Sequence, residues 1–336
     1  MSTITRVHRR AATVAVASTA LLMSACMSPA SKGGDAANYP DKTIEMMVPA
    51  AAGGGWDLTA RNMQQVVQTD KIADANIEVF NLEGGGGATG LSQLTSRDKS
   101  DPYKLMIGGL VMIGALEQAN SPVALSDAET IATLTSETEA FVVPADSPFK
   151  TINDVVDSYV KDPSSVTFGG GTAGGSDQIV AGLLAKAAGG DPAALKYIGY
   201  SGGGEATAGI LSGDVEVGVS GLSEFESQIE AGKMRLLAIS SDEDREVAGE
   251  PAPTLVDAGY DVDFVNWRAI FAPPGLSDAQ SEAVSGLIDE IHSSPRWADV
   301  LEKQGWTDDY RTGDEAQEFV DSESERIAGV IKELGL

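Results

Sequence analysis

The sequence predicts an α/β fold in two lobes with a cleft between them. Short apolar runs alternate with helix-length segments along most of the chain, the pattern of parallel strands crossed over by helices. The alternation runs twice, once before and once after a strand near the middle of the sequence. Length permits the doubling, since 336 residues correspond to about two domains at roughly 150 residues each.

Residues 1–25 stand outside this pattern. Arg6, Arg9 and Arg10 precede the apolar stretch Ala11 to Met23, and those 13 residues are too few for a membrane-spanning helix, which needs ~20. They have the length of a secretory signal core. Cys26, the only cysteine, follows at once in Met23-Ser24-Ala25-Cys26. This resembles a bacterial lipoprotein signal, with Met23 where leucine is usual. The resemblance implies loss of residues 1–25, acylation of Cys26 and a flexible linker over 26–38. The protein would then be extracytoplasmic and held to the membrane by its lipid, on the periplasmic or outer side. An ordinary signal peptide with a chance cysteine is the alternative.

From Tyr39 onward, Ile44–Val48, Ile77–Phe80, Leu105–Ile107 and Ala140–Val143 read as strands, being apolar and bounded by Gly, Pro or charges. Asp57–Gln68 and Thr89–Ser96 carry helical spacing between them. The second series is strand Val166–Phe168, helix Asp177–Ala188, strand Leu195–Ile198, helix Ala206–Leu211, strand Val215–Val219, helix Glu224–Ala231 and strand Leu236–Ile239. The remainder is mainly helical: Ser277–His292, closed by Pro295, then Trp297–Lys303 and Asp314–Leu334. Chain crossings near residues 143 and 240 divide this into a first lobe, 39–143 plus 241–336, and a second lobe, 144–240.

The formal charge is −27, and removing residues 1–25 with their three arginines and no acids makes it −30. No basic face is available for nucleic acid or an anionic lipid surface. One cysteine and two histidines leave almost nothing for a zinc or iron–sulfur site, so no metal and no cofactor are expected. An anion site in such a chain must act through close, directed donors.

Glycine supplies them. The chain has 38, about 11% against a usual ~7%. Four runs follow a strand and precede a helix: Gly53-Gly54-Gly55-Trp56-Asp57, Gly84-Gly85-Gly86-Gly87, Gly169 to Asp177, and Ser201-Gly202-Gly203-Gly204. In a parallel α/β lobe this is the carboxyl end of the sheet, where ligands bind. Free N–H groups at helix starts attract anions, and glycine lets an anion approach the backbone. Any one run reads as a tight turn; four in the same position read as an anion site. None carries the Lys-Ser/Thr of a phosphate loop.

Gly199-Tyr200-Ser201-Gly202-Gly203 also satisfies the Gly-x-Ser-x-Gly pattern of serine hydrolases, with His292 the only histidine beyond the leader. His292 ends a predicted helix, where an imidazole serves the helix dipole. A secreted hydrolase using Ser201 is therefore the minor alternative. Trp56, Tyr200 and Trp267 are open to two readings, cleft lining or core. Glu224 and Glu226 read as a solvated helix start. Arg268 reads as a fork for a ligand carboxylate or as the partner of an internal acid.

Taken in order, several stretches carry a resemblance: Tyr39-Pro40-Asp41-Lys42, Val48-Pro49 leading to Gly53–Asp57, Gly84–Ala88, Val143-Pro144-Ala145-Asp146-Ser147-Pro148-Phe149, Gly169–Asp177, Ser201–Glu205, Ala231-Gly232-Lys233-Met234-Arg235 and Phe271-Ala272-Pro273-Pro274-Gly275. Over about 39–336 the chain resembles the extracytoplasmic solute-binding subunit of tripartite tricarboxylate transporters. The resemblance implies a type II periplasmic-binding-protein fold, two Rossmann-like lobes around an interlobe cleft. It implies a monomer that is not an enzyme, binding a citrate-like carboxylate and passing it to integral-membrane transporter subunits; a ligand sensor feeding a signalling receptor would look the same. The family's site maps onto Gly53, Gly54, Gly55, Trp56, Asp57, Gly85, Gly86, Gly87, Thr172, Ala173, Gly174, Gly175, Ser176, Ser201, Gly202 and Gly203, with Trp267 added from Asn266-Trp267-Arg268. Gln178 stands where the tricarboxylate branch often has histidine.

Overall fold

The computed structural model describes residues 38–200, 203–242 and 245–336. The leader, Cys26, Ser201 and Gly202 lie outside the described residues.

The chain begins with β1 (Ile44–Val48), α1 (Gly55–Asp70), β2 (Ile77–Asn81), α2 (Ala88–Ser96), β3 (Lys104–Gly109) and α3 (Leu110–Gln118). β1 lies between β2 and β3 and is parallel to both, with Met46 opposite Val79 and Leu105. Sheet and helices meet through apolar spacing: Trp56, Ala60, Met63 and Val67 of α1 recur at helical intervals and are buried.

β4 (Glu129–Pro144) is 16 residues long and joins the two halves. Its first part, Glu129–Thr138, pairs antiparallel with β11 (Val265–Ala272) and β12 (Thr307–Thr312). From Glu139 it pairs instead with β7 (Val217–Gly221) and β8 (Met234–Ile239). The second half comprises α4 (Ile152–Lys161), β5 (Thr167–Gly170), α5 (Ser176–Ala187), β6 (Lys196–Gly199), α6 (Gly203–Ser212), β7, α7 (Leu222–Glu230) and β8. β5 is parallel to both β6 and β7. A short hairpin of β9 (Glu246–Val247) and β10 (Glu250–Pro251) precedes β11, and α8 (Asp278–His292), α9 (Pro295–Gln304) and α10 (Gly313–Leu334) complete the chain around β12.

The two chain crossings are hydrogen-bonded to each other. Ser240 Oγ accepts from the Glu139 N–H at 2.9 Å and donates to the Phe264 carbonyl at 2.5 Å, while the Ser241 N–H donates to Thr138 Oγ1 at 3.0 Å. The predicted helix–strand alternation holds for β1–β3 and β5–β7. β4, β8, β11 and β12 run antiparallel to their partners, so the ten-stranded sheet joined through β4 is mixed.

Five elements or parts of elements escaped the pattern reading. β11, β12 and the first part of β4 carry Thr, Ser, Asn, Arg and acidic residues inside strands, which breaks the apolar-run signal. α3 is apolar nearly all round and follows β3 without a break. α4 lacks that excuse: Thr151 and Asp154 form a capping box at its start.

Candidate functional site

A cavity of about 110 Å³ lies among the ends of β1, β5 and β7 and one face of β11. Ala50, Gly54, Gly55 and Trp56 form its wall on the β1 side, with Val111 of α3. Gly171, Thr172, Gly175, Ser176 and Asp177 face them from the β5–α5 turn, with Tyr200 beyond β6. Ser220, Gly221 and Glu224 come from the β7–α7 turn, and Asn266 and Arg268 from β11.

Three helices start at this cavity, α1, α5 and α7, and none has a side-chain cap. The first N–H groups of α1 and α5 remain available to an anion, while at α7 the Ser223 N–H is taken by Glu137 at 3.0 Å. Two of the turns are braced in the same way. Asp57 Oδ2 accepts from the Gly53 N–H at 2.9 Å, and Asp177 Oδ2 accepts from the Gly171 N–H at 2.6 Å. Gly53 (φ +91°) and Gly174 (φ +77°) supply the left-handed backbone that each turn requires. Gln178 Oε1 accepts from the Gly174 N–H at 2.8 Å, a further brace. Burial pushes the Asp57 carboxyl up, but bonds from Arg61, the Gly53 N–H and Asn81 outweigh it and leave the pKa below the ordinary value.

The electrostatics of the cavity are dominated by acids. Glu137, 1% exposed, forms an ion pair with Arg268, 3% exposed, and its other oxygen accepts from the Ser223 N–H at 3.0 Å. The pairing follows from register: Asn266 lies directly opposite Glu137, and Arg268 is two residues along on the same face of β11. Glu139, two residues along β4 from Glu137, is buried. Burial and the Asp177 charge push its carboxyl well up. Burial raises Asp177 too. Glu224 is pushed up to about 7 by burial and by the Asp177 and Glu137 charges, and its Oε2 accepts from the Ser220 hydroxyl at 3.0 Å. Arg268 holds Glu137 through Nη2, while its Nη1 is buried without a hydrogen-bond partner among the described residues. Asn266 Oδ1 is in the same position.

Of the residues expected at the site, Gly54, Gly55, Trp56, Thr172, Gly175 and Ser176 line the cavity together. Gly53, Asp57, Ala173 and Gly174 belong to the same turns but lie outside the lining. Gly203 opens α6. Gly85, Gly86 and Gly87 form a short 3₁₀ turn packed on α3, where a Cβ on Gly86 would run into Ala115 and one on Gly87 into Met112. Trp267 points away from the cavity: its ring meets Phe319 edge-on at 5.3 Å and its indole N–H donates to Glu323 at 2.9 Å. Alternation along β11 explains this, because Asn266 and Arg268 necessarily share the face opposite Trp267. Glu224, expected as a solvated helix start, instead lines the cavity. The missed signal was the strand itself: with β11 recognised, period two puts Asn266 and Arg268 on one side.

His292 is far from this arrangement in chemistry. Its ring stacks on Tyr310 at 3.8 Å and its Nε2 lies 3.0 Å from Asp308. Among the described residues no group of three or more His, Cys, Asp or Glu could hold a metal ion, and no helix is long and apolar enough to cross a membrane.

Comparison with known proteins gives a consistent picture. The model of the tripartite tricarboxylate transporter family receptor matches residues 60–336. Protein BugT of Bordetella pertussis is 26% identical over 303 residues, covering 88% of this chain and 90% of its own. Among solved structures, the periplasmic binding protein BugD superposes with a TM-score of 0.75 at 20% identity, over 88% of this chain and 99% of its own. MatC of Rhodopseudomonas palustris, solved with bound malate, gives 0.75 at 21% identity over 87% and 100%. An R. palustris protein solved with adipate gives 0.76 at 19% identity over 88% and 98%. The likeness to these structures is one of fold, the two-lobed architecture of periplasmic binding proteins.

Proposed function

This chain belongs to the tripartite tricarboxylate transporter receptor family, and from that premise we propose that it captures citrate or a related carboxylate between its lobes and delivers it to integral-membrane transporter subunits. The observation that supports this most is the meeting of two open helix starts, α1 and α5, with Arg268, whose Nη1 has no partner among the described residues, in the lining of one cavity. Each hydrogen bond to a charged group contributes ~1.5–3 kcal/mol, so a few such donors support micromolar binding after the costs of association. The fold-related proteins solved with malate and adipate hold ligands of the same class. The family is one of receptors, so ligand capture and release replace turnover.

The lobes are taken as 39–143 with 241–336 and as 144–240, with the chain crossings bonded through Ser240 acting as the hinge. Ligand contacts to both walls favour the closed state. The N-terminal signal supports export and tethering through Cys26, with the protein acting as a monomer on the extracytoplasmic side.

Binding is tested by thermal shift on residues 27–336 with citrate, isocitrate, tricarballylate, malate and succinate. A ligand at 100 times its Kd adds about 2.7 kcal/mol and a clear rise in Tm. A cooperatively melting protein that responds to none of these acids would remove the carboxylate reading.

Closure has its own test. α3 meets the β5–α5 turn so closely that a Cβ on Gly114 would collide with the Gly174 carbonyl. We take the arrangement with this seam in contact as the closed state; Gly114→Ala is then expected to weaken binding about tenfold, because overpacking the seam costs that state about 1–3 kcal/mol. Tm of the free protein should hold or rise, since alanine favours the helix. Titration of parent and variant, beside melts without ligand, reads both effects.

A further inference from the structure

Taking the carboxylate-receptor reading as given, we propose that the cavity selects carboxylates carrying a hydrogen-bond donor, a hydroxyl or an ammonium, next to the carboxylate. Arg268 Nη1 takes the carboxylate, and Glu224, assisted by Asn266 Oδ1, takes the donor.

Donor and acceptor accounting around the cavity leads there. Arg268 and Asn266 sit on one face of β11, 3% and 9% exposed, and each has a buried polar atom without a partner among the described residues. One of these atoms is a donor and the other an acceptor. Buried groups of this kind are normally satisfied, and leaving both unmet is costly. A ligand that presents an acceptor and a donor side by side meets both at once.

The acidic wall makes the same demand more strictly. The two oxygens of Asp177 already accept from the Gly171 N–H and the Ser176 hydroxyl at 2.6 and 2.8 Å. Glu137 is committed to Arg268 and Ser223. Glu224 uses Oε2 for the Ser220 hydroxyl and, ionised above about pH 7, keeps acceptor capacity towards the cavity it lines. The Asn266 amide can turn to offer its NH₂, but an ionised carboxylate offers only acceptors. A plain polycarboxylate would lay oxygen against oxygen at Glu224. A hydroxy or amino acid places an O–H or N–H there.

The test is calorimetric titration of the mature chain at about pH 8.5, where Glu224 is ionised, with matched acids: citrate against tricarballylate, malate against succinate, and aspartate against succinate. A site built around a ligand donor rejects the analogue lacking it strongly, so at least about a 100-fold loss is expected when the donor is removed. In Glu224→Ala that ratio should fall towards one, the donor-bearing acids losing affinity and the donor-free acids gaining it as the opposing carboxylate oxygens are removed. Malate tighter than aspartate assigns the hydroxyl, and the reverse assigns the ammonium. Equal affinities within every pair in the parent would overturn the donor requirement while leaving the receptor reading intact. No binding by any of the acids would overturn the receptor reading itself, and this selectivity with it.

Discussion

Arg268→Met is expected to lower stability by about 3–5 kcal/mol and to abolish carboxylate binding. The guanidinium compensates Glu137, which is 1% exposed and has two neighbouring acids, Glu139 and Glu224, that raise the cost of any uncompensated charge. Removing one member of a buried pair strands the other, and that desolvated charge accounts for most of the loss. The double variant Glu137→Gln, Arg268→Met should recover all but about 1–2 kcal/mol, because an amide still accepts from Ser223 and no buried charge remains. Binding should not recover with it, since Nη1 is gone. Urea unfolding of parent, single and double variants measures the first effect, and titration with citrate the second. A single variant as stable as the parent would show that Glu137 does not depend on this partner.

Glu224→Gln is expected to stabilise the ligand-free protein at pH 8 and to have little such effect at pH 4.5. The sign follows from the raised pKa. Well below pH 4.5 the carboxyl is protonated in both the folded and the unfolded chain and contributes nothing, and at pH 4.5 only half of the unfolded carboxyls are ionised, so the effect is small. As pH climbs to about 7, the unfolded chain ionises while the folded one holds its proton, so folding becomes progressively less favourable. Above about 7 the loss is complete. Allowing for partial contact with solvent, it amounts to about 2 kcal/mol. Glutamine has no proton to lose and escapes the penalty. Glu139 and Asp177 are raised by burial as well and tilt the parent the same way. Denaturant unfolding at pH 4.5, 6 and 8 should show the two proteins converging as pH falls; a constant difference, or one that grows towards acid, would contradict a carboxyl held protonated by its surroundings.

The two variants probe residues that differ sharply in how far the sequence reveals them. Gly54, Gly55, Gly175 and Ser176 sit where a strand ends and a helix begins, and both signals are local: an apolar run, a glycine cluster and then helical spacing. The same local rules placed β1, β2, β5 and β7 to within a residue or two at most ends. They also named Gly85–Gly87, whose run is indistinguishable in sequence from the lining turns. In the fold it packs on α3, because the neighbour it meets lies in a different element.

What the sequence by itself determined, then, was the α/β class, the doubled series of strands and helices, and the turns whose N–H groups face the cavity. These depend on interactions between residues a few positions apart, which leave a periodic trace. Only the tertiary structure decided the charged interior. Glu137 and Arg268 are 131 residues apart and meet because β4 and β11 are paired in one register. A polar residue within a strand breaks the apolar pattern by which strands are recognised, and its meaning depends on the strand beside it. Asn266 and Glu137 were therefore hidden by the property that makes them useful, being polar groups in buried strands; Arg268 stood out in the sequence as a cation, and what only the fold supplied was its partner, Glu137.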